Sequence, residues 1–306
     1  MTKLKIIFAG AGEFGLPTLS ALVDAGHDLV QVISQPDRPA GRGRKLTPTP
    51  IAQVALDRGL PLERTDNVNG LSLPPADVMV VIAFGQKISP AIVNHARLGA
   101  VNLHSSRLPR FRGAAPINWA ILAGDAVTGN SIIRLAEKMD AGAILAQSEL
   151  TIGDTETAGE LHGRLSQDGV PLMLDTIQSL ADGTAVETPQ DHSLATMAPK
   201  LSRESAVIDW TQTPFQIARK INGLAPWPGC RVRLDDREGK EIARLTLLRA
   251  RPLAPSKAGA GIVAGNTIDS QVEILDVQPE GKRPMTLAAY RNGYPWQDGF
   301  RVTSIV

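Results

Sequence analysis

Apolar and polar positions along this chain follow two different rhythms. In the first two thirds, short apolar runs alternate with stretches at helical spacing. Residues 4–9 (L-K-I-I-F-A) form an apolar run of strand length, and residues 16–25 predict a helix with Pro17 in its first turn and Gly26 near its C-cap. Residues 29–34 predict a second strand. A β-α-β opening of this kind extends by default into a parallel, doubly wound sheet. The same reading gives a helix at 51–58, a short edge strand at 60–63 and a fully buried strand at 77–83. Residues 83–90 form a strand-end loop, followed by a short helix, a strand at 99–104 and a helix at 116–123. Strands at 131–135 and 144–150 come next. Residues 157–180 carry Leu161, Leu165, Val170, Leu172, Leu174 and Ile177 at helical spacing, with Gly169 as a point of breakage or kinking. Residues 186–204, with Pro189 and Pro199, read as a linker between a unit at 1–185 and another at 205–306. The second rhythm begins there. After a helix at 214–222, short alternating stretches at 231–234, 242–248, 261–263, 271–277 and 285–289 predict a small β-barrel.

Composition narrows the picture. The 306 residues, 43% of them hydrophobic, suit two domains. No apolar run reaches the length of a membrane span, and the N-terminus enters a strand without the pattern of a secretory signal. A single cysteine, Cys230, excludes an intrachain disulfide and suits a reducing, cytoplasmic setting. Five scattered histidines give no metal-ligand spacing, so no metal is expected. The net charge is +1, but residues 205–306 carry 14 Lys and Arg against 10 Asp and Glu. That local excess suits a module that tolerates phosphates.

Two loops have candidate chemistry. Gly10-Ala11-Gly12-Glu13-Phe14-Gly15 matches G-x-G-x-x-G between a strand and a helix, with Asp37 at about the distance of a ribose-binding acid. Asp37, however, lies between two prolines beyond the strand end, so a Gly-rich packing turn is the alternative to a dinucleotide site. Residues 35–50 form a long loop with four prolines, in which Arg38, Arg42, Arg44 and Lys45 face a single Asp37. A basic loop without aromatic residues suits phosphates better than bases, unless it is merely solvated.

The strand at 99–104 holds Asn102 and His104 two residues apart, so both side chains project from one face at its C-terminal end. Open α/β sheets place their chemistry at that edge. An amide donor beside an imidazole is what a developing oxyanion needs; two polar residues solvated on the rim are the plain alternative. Asp140 follows in Met139-Asp140-Ala141-Gly142, where an Asp can be simply a turn former or a carboxylate facing the same edge.

Several motifs resemble the folate-dependent formyltransferase family: N-L-H, S-x-L-P-R-F-R-G-A-A-P-I, A-G-D-x-x-T-G and M-D-x-G. Q-P-D-R-P-A-G-R-G-R-K-L, D-W, N-G-L-A-P-W-P-G and V-Q-P-E-G-K-R-P-M resemble, within it, the branch acting on initiator methionyl-tRNA. The resemblance spans nearly the whole chain. It implies a Rossmann-like formyltransferase domain and an OB-like, tRNA-contacting C-terminal barrel. It also implies a cytoplasmic, monomeric enzyme that moves a formyl group from 10-formyltetrahydrofolate to the methionine α-amine of initiator methionyl-tRNA for translation initiation. Asn102, His104 and Asp140 would be its catalytic residues. Ser106, Arg107, Leu108 and Pro109 would lie beside the folate, with the pterin edge near the 83–88 backbone. Arg38, Arg42, Arg44 and Lys45 would reach the tRNA, Arg42 foremost. No metal or membrane is implied. Two departures stand out: Ala11-Gly12 replaces the more usual T-P, and Arg107 replaces an apolar residue. The alternatives are a formyltransferase for a sugar nucleotide or another small amine, a 10-formyltetrahydrofolate hydrolase, an NAD(P)-dependent oxidoreductase and a non-catalytic RNA-binding protein.

Overall fold

The structure is a computed structural model that describes residues 2–41, 43–254 and 261–306. It divides into two compact units that are not consecutive in sequence. The first comprises Met1–Gly113, Gly129–Leu150 and His162–Met197; the second comprises Ala114–Thr128, Thr151–Leu161 and Ala198–Val306. Residues 186–197 thus belong to the first unit and 198–204 to the second.

The first unit is built on a seven-stranded sheet. Across it lie Leu62–Arg64, Asp28–Ser34, Lys5–Gly10, Val78–Ile82, Ala100–His104, Ser131–Arg134 and Ile144–Gln147. The first five pair in parallel, and Ser131–Arg134 pairs antiparallel with both of its neighbours. Val78–Ile82 is buried at every position, as expected for a strand covered on both faces. The strand order reverses between Lys5–Gly10 and Val78–Ile82, the point at which such sheets open a crevice beyond their C-terminal ends.

The glycines at this crevice are explained by packing. A Cβ on Gly10 would lie 2.9 Å from the Ile82 carbonyl oxygen and 2.9 Å from the Phe8 ring, and one on Gly15 would lie 3.3 Å from Ile82. Asp37 pairs with Arg64 at 2.9 Å. The G-x-G-x-x-G run is therefore the packing turn, and its supposed ribose acid is already paired.

Other elements differ from expectation for local reasons. Within 35–50, Arg38–Ala40 pairs antiparallel with Lys45–Thr47, forming a hairpin where a long loop was expected. Its turn uses Gly41, Gly43 and Arg44 at positive φ, and Pro39 is tolerated because the ribbon is two-stranded. The long helix Ala158–Asp182 runs through both Gly169 and Pro171. Gly169 does not break it. A Cβ there would lie 2.6 Å from Leu103, so the glycine lets the helix approach the sheet.

In the second unit, Val263–Ala264, Thr267–Ile268, Val272–Pro279, Glu241–Pro252, Cys230–Asp235 and Arg301–Ser304 are neighbours in that order. The ends join: Val302 N donates to Gly261 O at 2.5 Å and Val263 N to Phe300 O at 2.6 Å. This closes a small barrel and removes its edges. Residues 285–289 yield only a two-residue strand, Met285–Thr286, because Thr286 caps the helix Leu287–Arg291. The helix Pro214–Gly223 starts in a capping box of Thr213 and Gln216. It buries Ile217 and Ile221 in a core shared with Leu247, Val277 and Tyr290. Asn222 then pairs with the backbone of Ala250 in both directions, at 2.8 and 2.9 Å.

Candidate functional site

Asn102 and His104 sit on the Ala100–His104 strand, where Asn102 pairs with Val81 on one side and His104 with Ser131 on the other. Parallel and antiparallel neighbours fix the strand on both sides, so the two side chains share one face. Among the described residues no group hydrogen-bonds the Asn102 side chain. His104 is buried, with 6% exposure. Its Nε2 lies 2.9 Å from the carbonyl oxygen of Phe111. A carbonyl only accepts, so Nε2 holds the proton and Nδ1 is the nitrogen left to the site. Asp140 Oδ2 lies 3.7 Å from that Nδ1 and accepts the Gly113 N–H at 2.8 Å. The burial of His104 weakens the screening of its charge and dipole interactions by water.

The segment carrying Asp140 is anchored at the far end of the strand. Leu135 N bonds to Ala100 O at 3.0 Å, and Arg134 N to Ala143 O at 2.9 Å. The chain between them folds back to bring the carboxylate to His104. A Cβ on Gly142 would collide with the Arg134 carbonyl, which accounts for the glycine of M-D-A-G. Three residues with side chains adopt left-handed backbone near the parallel strand ends or beside His104: Ala83 at φ 47°, Phe111 at φ 61° and Asp140 at φ 52°. Such conformations are costly and gather where a site must be held in one shape.

The turn after His104 divides the residues expected beside a folate. Ser106 is fully buried: its hydroxyl donates to the Arg110 carbonyl at 2.7 Å, and its carbonyl accepts from Ser131 Oγ at 2.6 Å. Leu108 is buried, with its N–H on Ser131 Oγ and its carbonyl on Gln147 Nε2. These two build the turn from inside. Pro109 is half-buried, and Arg107 is exposed and paired with Glu149 at 2.6 Å. Arg38, Arg44 and Lys45 are exposed on the hairpin, and no carboxylate pairs with them among the described residues. Arg42 lies outside the described residues. No hydrogen bond or ion pair among the described residues joins the hairpin to Asn102, His104 or Asp140.

Phe111 and Gly113, which direct His104 and Asp140 through their backbones, have no signal of their own in the sequence. They stand inside R-F-R-G, a motif whose side chains attract attention and whose main chain supplies the hydrogen bonds.

A family described as formyl transferase matches residues 3–177, and its C-terminal domain matches residues 200–295. The chain belongs to the formyl transferase family. Among similar formyltransferases is the methionyl-tRNA formyltransferase of Moorella thermoacetica, 40% identical over 97% of this chain and 98% of that protein. The methionyl-tRNA formyltransferase of Methylococcus capsulatus is 36% identical over 95% of this chain and 97% of that protein. Among solved structures, the sugar 3N-formyl transferase WlaRD shares the formyltransferase fold with a TM-score of 0.64 at 18% identity, covering 92% of this chain and all of that one.

Proposed function

We propose that the chain transfers a formyl group from 10-formyltetrahydrofolate to the α-amine of methionine on initiator methionyl-tRNA, acting as a cytoplasmic monomer. The observation that carries the chemistry is an Asn102 amide without a partner among the described residues, beside a buried His104 whose Nδ1 faces Asp140. Relatives named methionyl-tRNA formyltransferase over nearly the full length support the choice of substrate.

The folate nitrogen carries an activated formyl group; the amine gains it and loses a proton, and the folate nitrogen regains one. Asn102 donates an N–H to the formyl oxygen as negative charge builds there. The Nε2 proton of His104 is held by Phe111, so a second donor must come from Nδ1, which bears a proton only in the imidazolium form. Asp140 is the opposite charge beside that imidazolium, and it also accepts the amine's proton, directly or through water.

The residues at the crevice fit a flat ring system. Gly12 and Ala83 present little beyond backbone, a Cβ on Gly12 standing 3.8 Å from that of Ala83. Arg107 and Pro109 face outward from the turn, and the Arg107 stem can lie along an apolar surface. Arg38, Arg42, Arg44 and Lys45 would meet tRNA phosphates, aided by the basic excess of residues 205–306.

The test is to incubate the protein with 10-formyltetrahydrofolate, with and without charged initiator tRNA, and follow both folate release and formylated methionine. Release that requires the tRNA is expected. Release without tRNA would indicate a hydrolase instead, and release only with an amino sugar nucleotide would move the reading to a sugar substrate.

A further inference from the structure

Gln190 lies in the stretch expected to be a linker, yet it is buried, with 7% exposure. Its amide nitrogen donates to the carbonyls of Asp140 and Gly142, at 2.9 and 2.8 Å. Its oxygen accepts from Nε and Nη2 of Arg112, at 3.1 and 2.5 Å. A primary amide has two donors and an oxygen with two lone pairs, so all its capacity is used. The alternative orientation would turn the oxygen toward two carbonyls and the nitrogen toward a guanidinium.

Arg112 is buried too, at 9% exposure. Its other close polar partner is His192, whose Nδ1 lies 2.9 Å from Nη2. A guanidinium only donates, so this nitrogen of His192 accepts. No carboxylate pairs with Arg112 among the described residues. A buried cation held by an amide polarises it, which strengthens the donors at the amide's other end.

Those donors end on the carbonyls of Gly142 and of Asp140, one of the left-handed residues of the site. Its carboxylate is bonded to the N–H of Gly113, the neighbour of Arg112 in the chain. The pair Arg112-Gly113 therefore holds Asp140 twice, by its main chain through Gln190 and by its carboxylate directly. We propose that Gln190 is a positioning residue, which fixes the Asp140–Gly142 turn so that the Asp140 carboxylate faces His104 Nδ1. This role rests on the reading of Asp140 as part of the reactive set.

Gln190→Glu keeps an oxygen toward Arg112 but places a second oxygen, unable to donate, against the two carbonyls. Gln190→Met removes both halves at similar volume. The readout is the single-turnover rate constant for formyl transfer at saturating enzyme. Being independent of the fraction folded, it would not move if the residue served only stability. Gln190→Glu is expected to lower it by about 10²-fold, the scale of a small misplacement of reacting groups, with KM for both substrates little changed. Asp140→Asn is measured alone and combined with Gln190→Glu; if Gln190 acts through Asp140, the double variant falls no further than Asp140→Asn. A full-rate Gln190→Glu variant beside an inactive Asp140→Asn variant overturns this role alone, as does an additive fall in the double variant. A full-rate Asp140→Asn variant overturns the reading of Asp140 and this role with it.

Discussion

His104 and Asp140 face each other at 3.7 Å across Nδ1 and Oδ2, while the opposite ring nitrogen of His104 is committed to the Phe111 carbonyl. The separation exceeds a hydrogen bond yet lies within the range of an ion pair. The imidazole is thus fixed at one nitrogen and left open to an incoming group at the other.

Removing either donor of the strand should remove transition-state stabilisation and leave the fold in place. His104→Ala and Asn102→Ala are each expected to lower kcat by about 10²–10³, the usual cost of one oxyanion donor. Affinity for tRNA, measured by filter binding, should stay near the parent value. A fall in kcat below about threefold would rule out the donor roles.

The hairpin should contribute charge and no base reading. Converting Arg38, Arg44 and Lys45 together to Gln is expected to weaken tRNA binding and flatten its salt dependence, by about one unit of log–log slope for each phosphate that is no longer neutralised. Titrations across a range of salt concentrations measure this directly. An unchanged slope would assign these side chains to solvent.

Two glycines should respond to alanine in opposite directions. A Cβ at Gly142 collides with the Arg134 carbonyl, so Gly142→Ala should lower stability by about 1–3 kcal/mol, the range for overpacking, and lower activity with it. Gly163 lies within the helix Ala158–Asp182, and a Cβ there meets nothing within 4 Å. Gly163→Ala should stabilise by about 0.5–1 kcal/mol. Urea denaturation of both variants checks the pair.

The second unit should lose an ion-pair network in acid. Arg249 bonds Glu160 at 2.6 Å and Asp276 at 2.7 Å. The Arg249 guanidinium, followed by hydrogen bonds from Thr157, holds the Glu160 carboxyl well below its usual range, at about 2. A folded-state value depressed in this way gives stability that is full above the ordinary 4.5 and fades as pH falls toward 2. Glu160→Gln should flatten the dependence of the urea midpoint on pH within that window. An unaltered profile would mean that the pair adds nothing to folding.

Much of the fold can be read from the chain because period and burial agree. The all-apolar run at 78–82 and the alternation at 100–104 state their elements directly. What escapes is decided by main-chain hydrogen bonds and close packing. The hairpin at 38–47 hides among prolines and glycines that ordinarily mark irregular loop, and Gly169 resembles a helix breaker until Leu103 is found against it. At the site, Asn102 and His104 are visible because period two places them together, whereas Phe111 and Gly113 act through carbonyl and N–H, which nearly every residue possesses. Gln190 is one of several polar residues in the stretch Glu187–Ser193, and nothing in its neighbours marks it as buried.

The closure of the barrel has a consequence for synthesis. Gly261 and Val263 wait for Phe300 and Val302, and Cys230–Asp235 likewise pairs with Arg301–Ser304. While the ribosome still holds these residues, the barrel has two open edges, and strand Cys230–Asp235 is unpaired on one side. The hydrogen-bonded ring of the second unit thus closes only once residues 301–304 are available, so truncation just before Arg301 would leave exposed strand edges prone to association.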